Sequence, residues 1–368
     1  MKRLGTPIRL ATRGSDLALR QATAVRAALE AHRYGVELVE VETTGDQVRD
    51  ELIHRLGRTG AFVRALDEQV IAGEADAAVH SMKDVPTEIP TELVVAGVPE
   101  RAPPGDALVT PDGSSLQDLP AGATVGTASL RRRAQVLAGR PDLSVEPIRG
   151  NVDTRIEKLL APGLQAEHER LTELEAGEGD TVADEDGNGA DDASGDDQSA
   201  DEWFAARSEI ERRALGRQVE AEYDAVVLAR AGLERTGLVH QVERVDLPTG
   251  TFVPAPGQGA LAITARDDDV GEAIHDATDH PRTRVETTAE RVVLAELGGG
   301  CIAPIGIYAV VRGEHVHVEA QVADRDGEEV ISLARDLHVE SYVDAAREMA
   351  AELADRGARE LIEEAKRE

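Results

Sequence analysis

The chain has a single cysteine, Cys301, which excludes an internal disulfide. No stretch approaches the ~18 consecutive apolar residues of a membrane-spanning helix. The opening MKRLGTPIRLATRG is basic but has no apolar signal core, so a cytoplasmic location and no membrane partner are expected. Positive charge is in short supply: 40 basic residues stand against 71 acidic ones, giving a net charge of −31 and a pI near 4.7. That balance excludes generic nucleic-acid binding, which needs a basic face. Aromatic residues make up 2% of the chain, and lysine occurs only at Lys2, Lys83, Lys158 and Lys366. An acidic composition poor in lysine and aromatics points to a salt-rich, haloarchaeal type of cytoplasm, in which dissolved ions screen the self-repulsion of the surface.

What is present is length: 368 residues suffice for two or three domains, each with its own core. Lysine being so rare, Lys83 stands out. It lies in ADAAVHSMKDVP, Ala75 to Pro86, where Ala77, Ala78 and Val79 read as the end of a buried strand and Pro86 stops further pairing. Ligands of open α/β sheets sit beyond the carboxyl ends of strands. A chain that otherwise uses arginine has a reason to place an ammonium there, beside the carboxylate of Asp84. Taken alone, the pair also reads as a solvated turn.

Similar junctions recur. Ile8 to Thr12 reads as a strand, Arg13-Gly14-Ser15-Asp16 as a turn with capping residues, and Leu17 to His32 as an amphipathic helix. Free N–H groups at such a helix start bind anions, although an ordinary capped turn reads the same way. Val36 to Val41 is a strand, Leu52 to Gly60 a basic glycine loop, Phe62 to Ala72 a helix and Leu93 to Val98 a strand. The segment from Val98 to Gly105 is a hinge. The pattern then repeats: strands at Ala107 to Val109 and Thr124 to Gly126, then Thr127-Ala128-Ser129 before a helix from Leu130 to Ala138. That helix opens with Arg131, Arg132 and Arg133, which oppose its dipole, so a multivalent anion is expected at its start, although a solvated basic helix face reads the same way. A third such junction runs from Ser144 to Ile148 into Arg149, Gly150 and Arg155. Three arginine-bearing strand-to-helix turns suggest a ligand with several carboxylates or phosphates.

Gln165 to about Glu202 is low-complexity and reads as disordered. Between Glu169 and Glu202 fourteen acids meet one arginine, so this segment holds 13 of the net negative charges. A short helix at Trp203 to Leu215 follows. Tyr223 to Ala229 echoes the strand before His80, and Arg235 lies just after it. The Pro-Gly stretch FVPAPGQGA, Phe252 to Ala260, crosses back so that Leu261 to Ala265 rejoins the first sheet. Beyond Pro281 come a helix from Thr283 to Leu297, the loop Gly298-Gly299-Gly300-Cys301, antiparallel strands at Ile305 to Val311, His315 to Val322 and Glu329 to Leu337, and a final helix from Val343 to Glu364. The expected fold is α/β: two doubly wound lobes on a double hinge, at 1–100 with 260–278 and at 104–254, plus a small α+β domain at 280–368.

IRLATRGSDLAL, GAFVRAL, VHSMKDVP, GTASLRRRAQ, IRGNVDTR, LARAGLER, PAPGQGA and GGGCIAPI occur here in one order. In these motifs the chain resembles the porphobilinogen deaminases, or hydroxymethylbilane synthases, over nearly its whole length outside about Ala161 to Leu215. The resemblance implies lobes like those of periplasmic binding proteins and a transferase of tetrapyrrole biosynthesis. Four porphobilinogen molecules would be joined head to tail with loss of ammonia. It implies a dipyrromethane cofactor on Cys301 through a thioether; read by itself, that lone thiol could equally be inert and buried. Lys83, Ser129, Arg131 and Arg132 match cofactor-binding positions. Arg13, Ser15, Ser81, Thr127, Arg149, Gly150, Arg155 and Arg235 match positions that hold porphobilinogen and the growing polypyrrole chain. Asp84 matches the catalytic aspartate, whose charge would stabilise the azafulvene-like cation left when ammonia departs. No metal is implied, and a monomer is expected. One departure is Thr59, where the family commonly has a basic residue; Arg58 stands beside it. Two rivals remain at this stage: a hinged anion-binding protein without catalysis, and a hydrolase pairing Cys301 with His80.

Overall fold

The computed structural model describes residues 6–41, 61–178, 199–300 and 303–367. The loop from Arg55 to Gly60, Thr59 included, and Cys301 itself lie outside these residues.

The first lobe is a five-stranded sheet built from β1 (Ile8–Arg13), β2 (Val36–Val41), β3 (Ala77–Ser81), β4 (Leu93–Gly97) and β10 (Leu261–Arg266), in the order β2-β1-β3-β10-β4. β1 runs parallel to both neighbours, and β10 is antiparallel to β3 and β4. Its strands are mostly apolar inside, with Thr12, His80 and Thr264 the buried polar exceptions, because helices cover both faces. On one face α1 (Asp16–Ala31) packs Ala22, Val25 and Leu29 against Ile8 and Leu10; on the other α2 (Ala61–Ile71) packs Leu66 and Val70 against Ala11 and Ala78.

The second lobe repeats the plan. β5 (Asp106–Val109), β6 (Thr124–Gly126), β7 (Ser144–Glu146), β8 (Ala225–Ala229) and β9 (Arg244–Asp246) lie in the order β7-β6-β8-β5-β9. Here β6 is parallel to β7 and β8, while β5 is antiparallel to β8 and β9. In each sheet the antiparallel strand is the one that enters directly from a crossing, β5 after the first and β10 after the second. Three-residue β9 carries too few apolar positions to be read in advance. Helices α3 (Leu130–Gly139), α4 (Val152–Glu178), α5 (Ala200–Ala205), α6 (Glu209–Leu215) and α7 (Arg230–Thr236) complete this lobe.

The two crossings lie against each other. Ala102 N donates to Gly259 O at 3.1 Å, and Arg101 Nε to Gln258 O at 2.8 Å. Gly259 has φ +86°, and a Cβ there would stand 2.3 Å from Ala102 O, so the approach requires glycine.

Two expectations are corrected. The stretch from Gln165 does not lose structure at once: α4 continues to Glu178, and α5 begins at Ala200. Leu171, Ala200 and Trp203 form a small buried cluster with Leu164 and Leu215 at its edge. Leu164 and Leu171, seven residues apart, lie on one helix face, a stripe that an average over acidic composition hides. The helix after Pro281 is α9 (Pro281–Glu296), preceded by α8 (Asp269–Thr278) of the first lobe. Beyond it β11 (Ile305–Arg312), β12 (His315–Ala323) and β13 (Val330–His338) form an antiparallel sheet. The last helix is two, α10 (Tyr342–Asp355) and α11 (Ala358–Arg367), divided at Arg356 and Gly357. The break lets Ala346, Met349 and Leu353 of α10, and Leu361 and Ile362 of α11, enter one core with α9.

Candidate functional site

In the first lobe β3 ends at Ser81 and passes into a single helical turn, Met82–Asp84. Met82 is buried and anchors that turn, which leaves Lys83 and Asp84 exposed at the carboxyl edge of the sheet. Asp84 makes no hydrogen bond or ion pair with any described residue, so its carboxylate is open to a ligand. The parallel register of β1 and β3 brings Arg13 to the same edge. Ser15 caps α1 by accepting from Ala18 N, and Gln21 of that helix donates to Ser81 Oγ at 3.3 Å. His80 points the other way. Its Nε2 sits 3.0 Å from both Asp67 Oδ1 and Thr264 Oγ1, all three buried, so this imidazole ties β3 to α2 and β10.

The second lobe presents a basic edge. β6, β7 and β8 are parallel and end together, at Thr127, at Ile148 to Gly150, and at α7. Ser129 caps α3 by accepting from Arg132 N, and Thr127 Oγ1 accepts from Ser129 N at 3.2 Å. The three arginines that follow do not all reach for an outside ligand. Arg131 Nη2 and Arg132 Nη2 each donate at 2.8 Å to one oxygen of the fully buried Asp106, while Arg133 turns away to Asp326 of the third domain. Asp106 thus supplies part of the charge that offsets the dipole. Burial alone would raise the Asp106 pKa, but the two guanidinium charges outweigh it and hold it at about 2.

Positive charge is still in excess there. Arg131 Nε and Arg132 Nε are buried donors with no hydrogen-bond partner among the described residues. The pKa of Arg155 falls to about 10, through burial and then through the charge of Arg132. Its Nε donates to Gly150 O at 2.9 Å. Arg149 has no hydrogen-bond or ion-pair partner among the described residues. Arg235 is lowered by burial and donates to Gly259 O at 2.6 Å, so it reaches the hinge. α1 packs against α7, which brings the two edges face to face.

Several residues escaped the reading of the sequence. Gln258 is buried between the crossings: its Nε2 donates to Asp106 Oδ1 at 2.8 Å and Pro104 O at 2.5 Å, and its Oε1 accepts from Arg131. Arg101 pairs bidentately with buried Glu290, whose carboxylate also accepts from Gly257 N and Ala309 N. Burial raises the Glu290 pKa against the pull of Arg101. One amide in a run of small residues and one arginine among prolines were the available signals. Among the described residues no group of three or more His, Cys, Asp or Glu could hold a metal, and no helix is long and apolar enough to cross a membrane.

Comparison with known proteins adds to this geometry. A family model described as "Porphobilinogen deaminase, dipyromethane cofactor binding domain" matches residues 8–167 and 202–273, and one for the C-terminal domain of the same family matches 285–356. A probable porphobilinogen deaminase of Halobacterium salinarum is 57% identical across 98% of this chain and 98% of its own. Another, of Methanococcoides burtonii, is 37% identical over 97% and 96%, and the porphobilinogen deaminase of Rubrobacter xylanophilus 39% over 96% and 95%. Among solved structures, an ABC-transporter periplasmic substrate-binding protein of Coxiella burnetii aligns with 77% of this chain and 96% of its own, at 12% identity and TM-score 0.35. The unmatched residues between the two parts of the first family model fall within the acidic segment.

Proposed function

The chain belongs to the porphobilinogen deaminase family, the hydroxymethylbilane synthases, and we propose that in this member Asp84 is the catalytic carboxylate and the arginine edge of the second lobe is the carboxylate grip. The alternative of a hinged binding protein without catalysis is not favoured by the three sequence relatives, each named a porphobilinogen deaminase.

The residues present fit the family's dipyrromethane. Two orphaned buried guanidinium Nε atoms and a depressed Arg155, in a cluster with one buried carboxylate, leave room for a group that brings its own carboxylates. Cys301 would hold it by a thioether; Lys83, Ser129, Arg131 and Arg132 would hold its acid groups. When bound, it supplies the pyrrole to which the substrate units are joined.

The rest falls to the chain's own residues. Arg13, Arg149, Arg155 and Arg235 line the facing edges and meet the acetate and propionate of porphobilinogen with charge-assisted hydrogen bonds. Ser15, Ser81, Thr127 and the backbone at Gly150 add neutral ones. Asp84, exposed and unpartnered, lies against the pyrrole N–H, where positive charge develops as ammonia leaves. A fixed anion there lowers that barrier and can pass a proton to the departing amine. The acidic composition and the Halobacterium relative support a salt-rich cytoplasm as its setting.

The unpartnered Asp84 at the arginine-faced edge carries this reading. Asp84→Asn is expected to fold, to keep the mass of two added pyrrole rings, and to release ammonia from porphobilinogen at least ~100-fold more slowly. Near-wild-type release would remove Asp84 from the mechanism.

A further inference from the structure

Arg291 sits on α9, ten residues before Cys301. Its side chain leaves the third domain for the first lobe, where Nη1 donates to Val85 O at 2.8 Å and Nη2 to Pro86 O at 2.6 Å. These two carbonyls directly follow Asp84, and Val85 N closes the turn by donating to Met82 O at 3.1 Å. Arg9 and Arg140 also give both terminal nitrogens to backbone carbonyls, but each pairs with a carboxylate as well, whereas Arg291 makes no ion pair among the described residues. Burial lowers its pKa, and no neighbouring carboxylate opposes the effect.

The other side of the turn is held by the second crossing. Gly257, at φ +75°, comes so close that a Cβ would lie 2.6 Å from Met82 Cγ and 3.1 Å from Lys83 N. Beside the turn lies a cavity of about 280 Å³, lined by Met82, Thr87, Val98, Thr287, Arg291 and Val292 among others. Packing alone therefore does not pin the turn, because it has space to move into once the guanidinium is gone.

We propose that Arg291 is a positioning residue for the deaminase reaction, which fixes the Asp84 carboxylate by holding the Val85 and Pro86 carbonyls. The clamp rests on the same helix that runs on to the cysteine loop. The clamp thus ties the turn that carries Asp84 to a helix of the third domain. The inference rests on the assignment of Asp84 made above.

The test is a cycle on the holoenzyme: Arg291→Met, Asp84→Asn and the double variant, with Arg291→Lys beside them. Arg291→Met is expected to lower kcat between about tenfold and 100-fold, the cost of a misplacement near 1 Å, with KM changed less than about twofold. Intact mass should show the cofactor retained. Hydrogen exchange should quicken at residues 82–85 and stay unchanged in β8 of the second lobe. Arg291→Lys, which keeps the charge but only one donor nitrogen, should recover part of kcat. In the Asp84→Asn background Arg291→Met should cost nothing further, since a residue that acts through Asp84 has nothing left to position. An unchanged kcat, a full further loss in that background, or exchange that quickens throughout the protein would overturn the inference. Should Arg291→Met fail to fold, the same cycle with Arg291→Lys decides. If Asp84→Asn turns over normally, the catalytic assignment fails; if Asp84→Asn is inactive and Arg291→Met is not, only the positioning role fails.

Discussion

Asp106 receives two guanidinium groups where no water reaches it. Its pKa is about 2 in the folded protein, against an ordinary 3.8, so the folded state favours the ionised form. The stability this confers is fully present above about pH 4 and is lost as pH falls towards 2. Asp106→Asn leaves two buried cations short of their anion and is expected to cost about 3 kcal/mol at neutral pH. Urea unfolding of both proteins in concentrated KCl should show that difference shrinking between about pH 4 and pH 2; a constant difference would mean that the carboxylate's charge is not what holds the pair. The place of Asp84 beyond a strand end could be read from the sequence because strand, turn and proline sit within twelve residues. Asp106 could not: its meaning comes from Arg131 and Gln258, 25 and 152 residues away along the chain. Local sequence shows which side chains stand at a strand tip; it does not show which of them are already answered from within.

At the scale of elements, period and punctuation were readable where they were long. Most strands and helices of both lobes follow from apolar runs broken by glycine and proline, but α8 was not anticipated, and α5 and α6 read as a single helix from Trp203 to Leu215. Three-residue β9 and the break between α10 and α11 do not follow from such runs. The acidic segment shows the limit most clearly, since its composition speaks for disorder while Leu164 and Leu171 carry α4 on to Glu178. Glu175 accepts from Ala200 N at 2.7 Å, so the two sides of the segment meet. Replacing residues 179–198 with a short linker should therefore leave turnover and melting in molar KCl within error of the full chain. Removing 169–202 takes away Leu171 and Ala200 and exposes Trp203, and should destabilise by about 2–4 kcal/mol while leaving the active-site edge in place. Chemical unfolding of the two deletions side by side measures this; equal stability would mean that the cluster around Trp203 contributes nothing.

Across the whole molecule two kinds of electrostatics work at once, and salt separates them. Arg101–Glu290 and Arg131–Asp106 are buried ion pairs that join hinge, second lobe and third domain, and dissolved ions screen them little. The net charge of −31 is mostly solvent-facing repulsion, which ions screen well. The fold should therefore gain stability as KCl rises while the site's internal contacts hold, so that the melting temperature climbs steeply from dilute buffer to molar salt. A melting temperature already at its plateau in dilute buffer would refute this. The 179–198 deletion supplies the control, because it removes eight carboxylates and no base. If unspecific repulsion sets the salt dependence, that variant's curve of melting temperature against KCl should be flatter than the full chain's, with both meeting at high salt. If the two curves run parallel, the salt requirement lies in the folded lobes themselves, and the acidic segment serves some purpose other than charge.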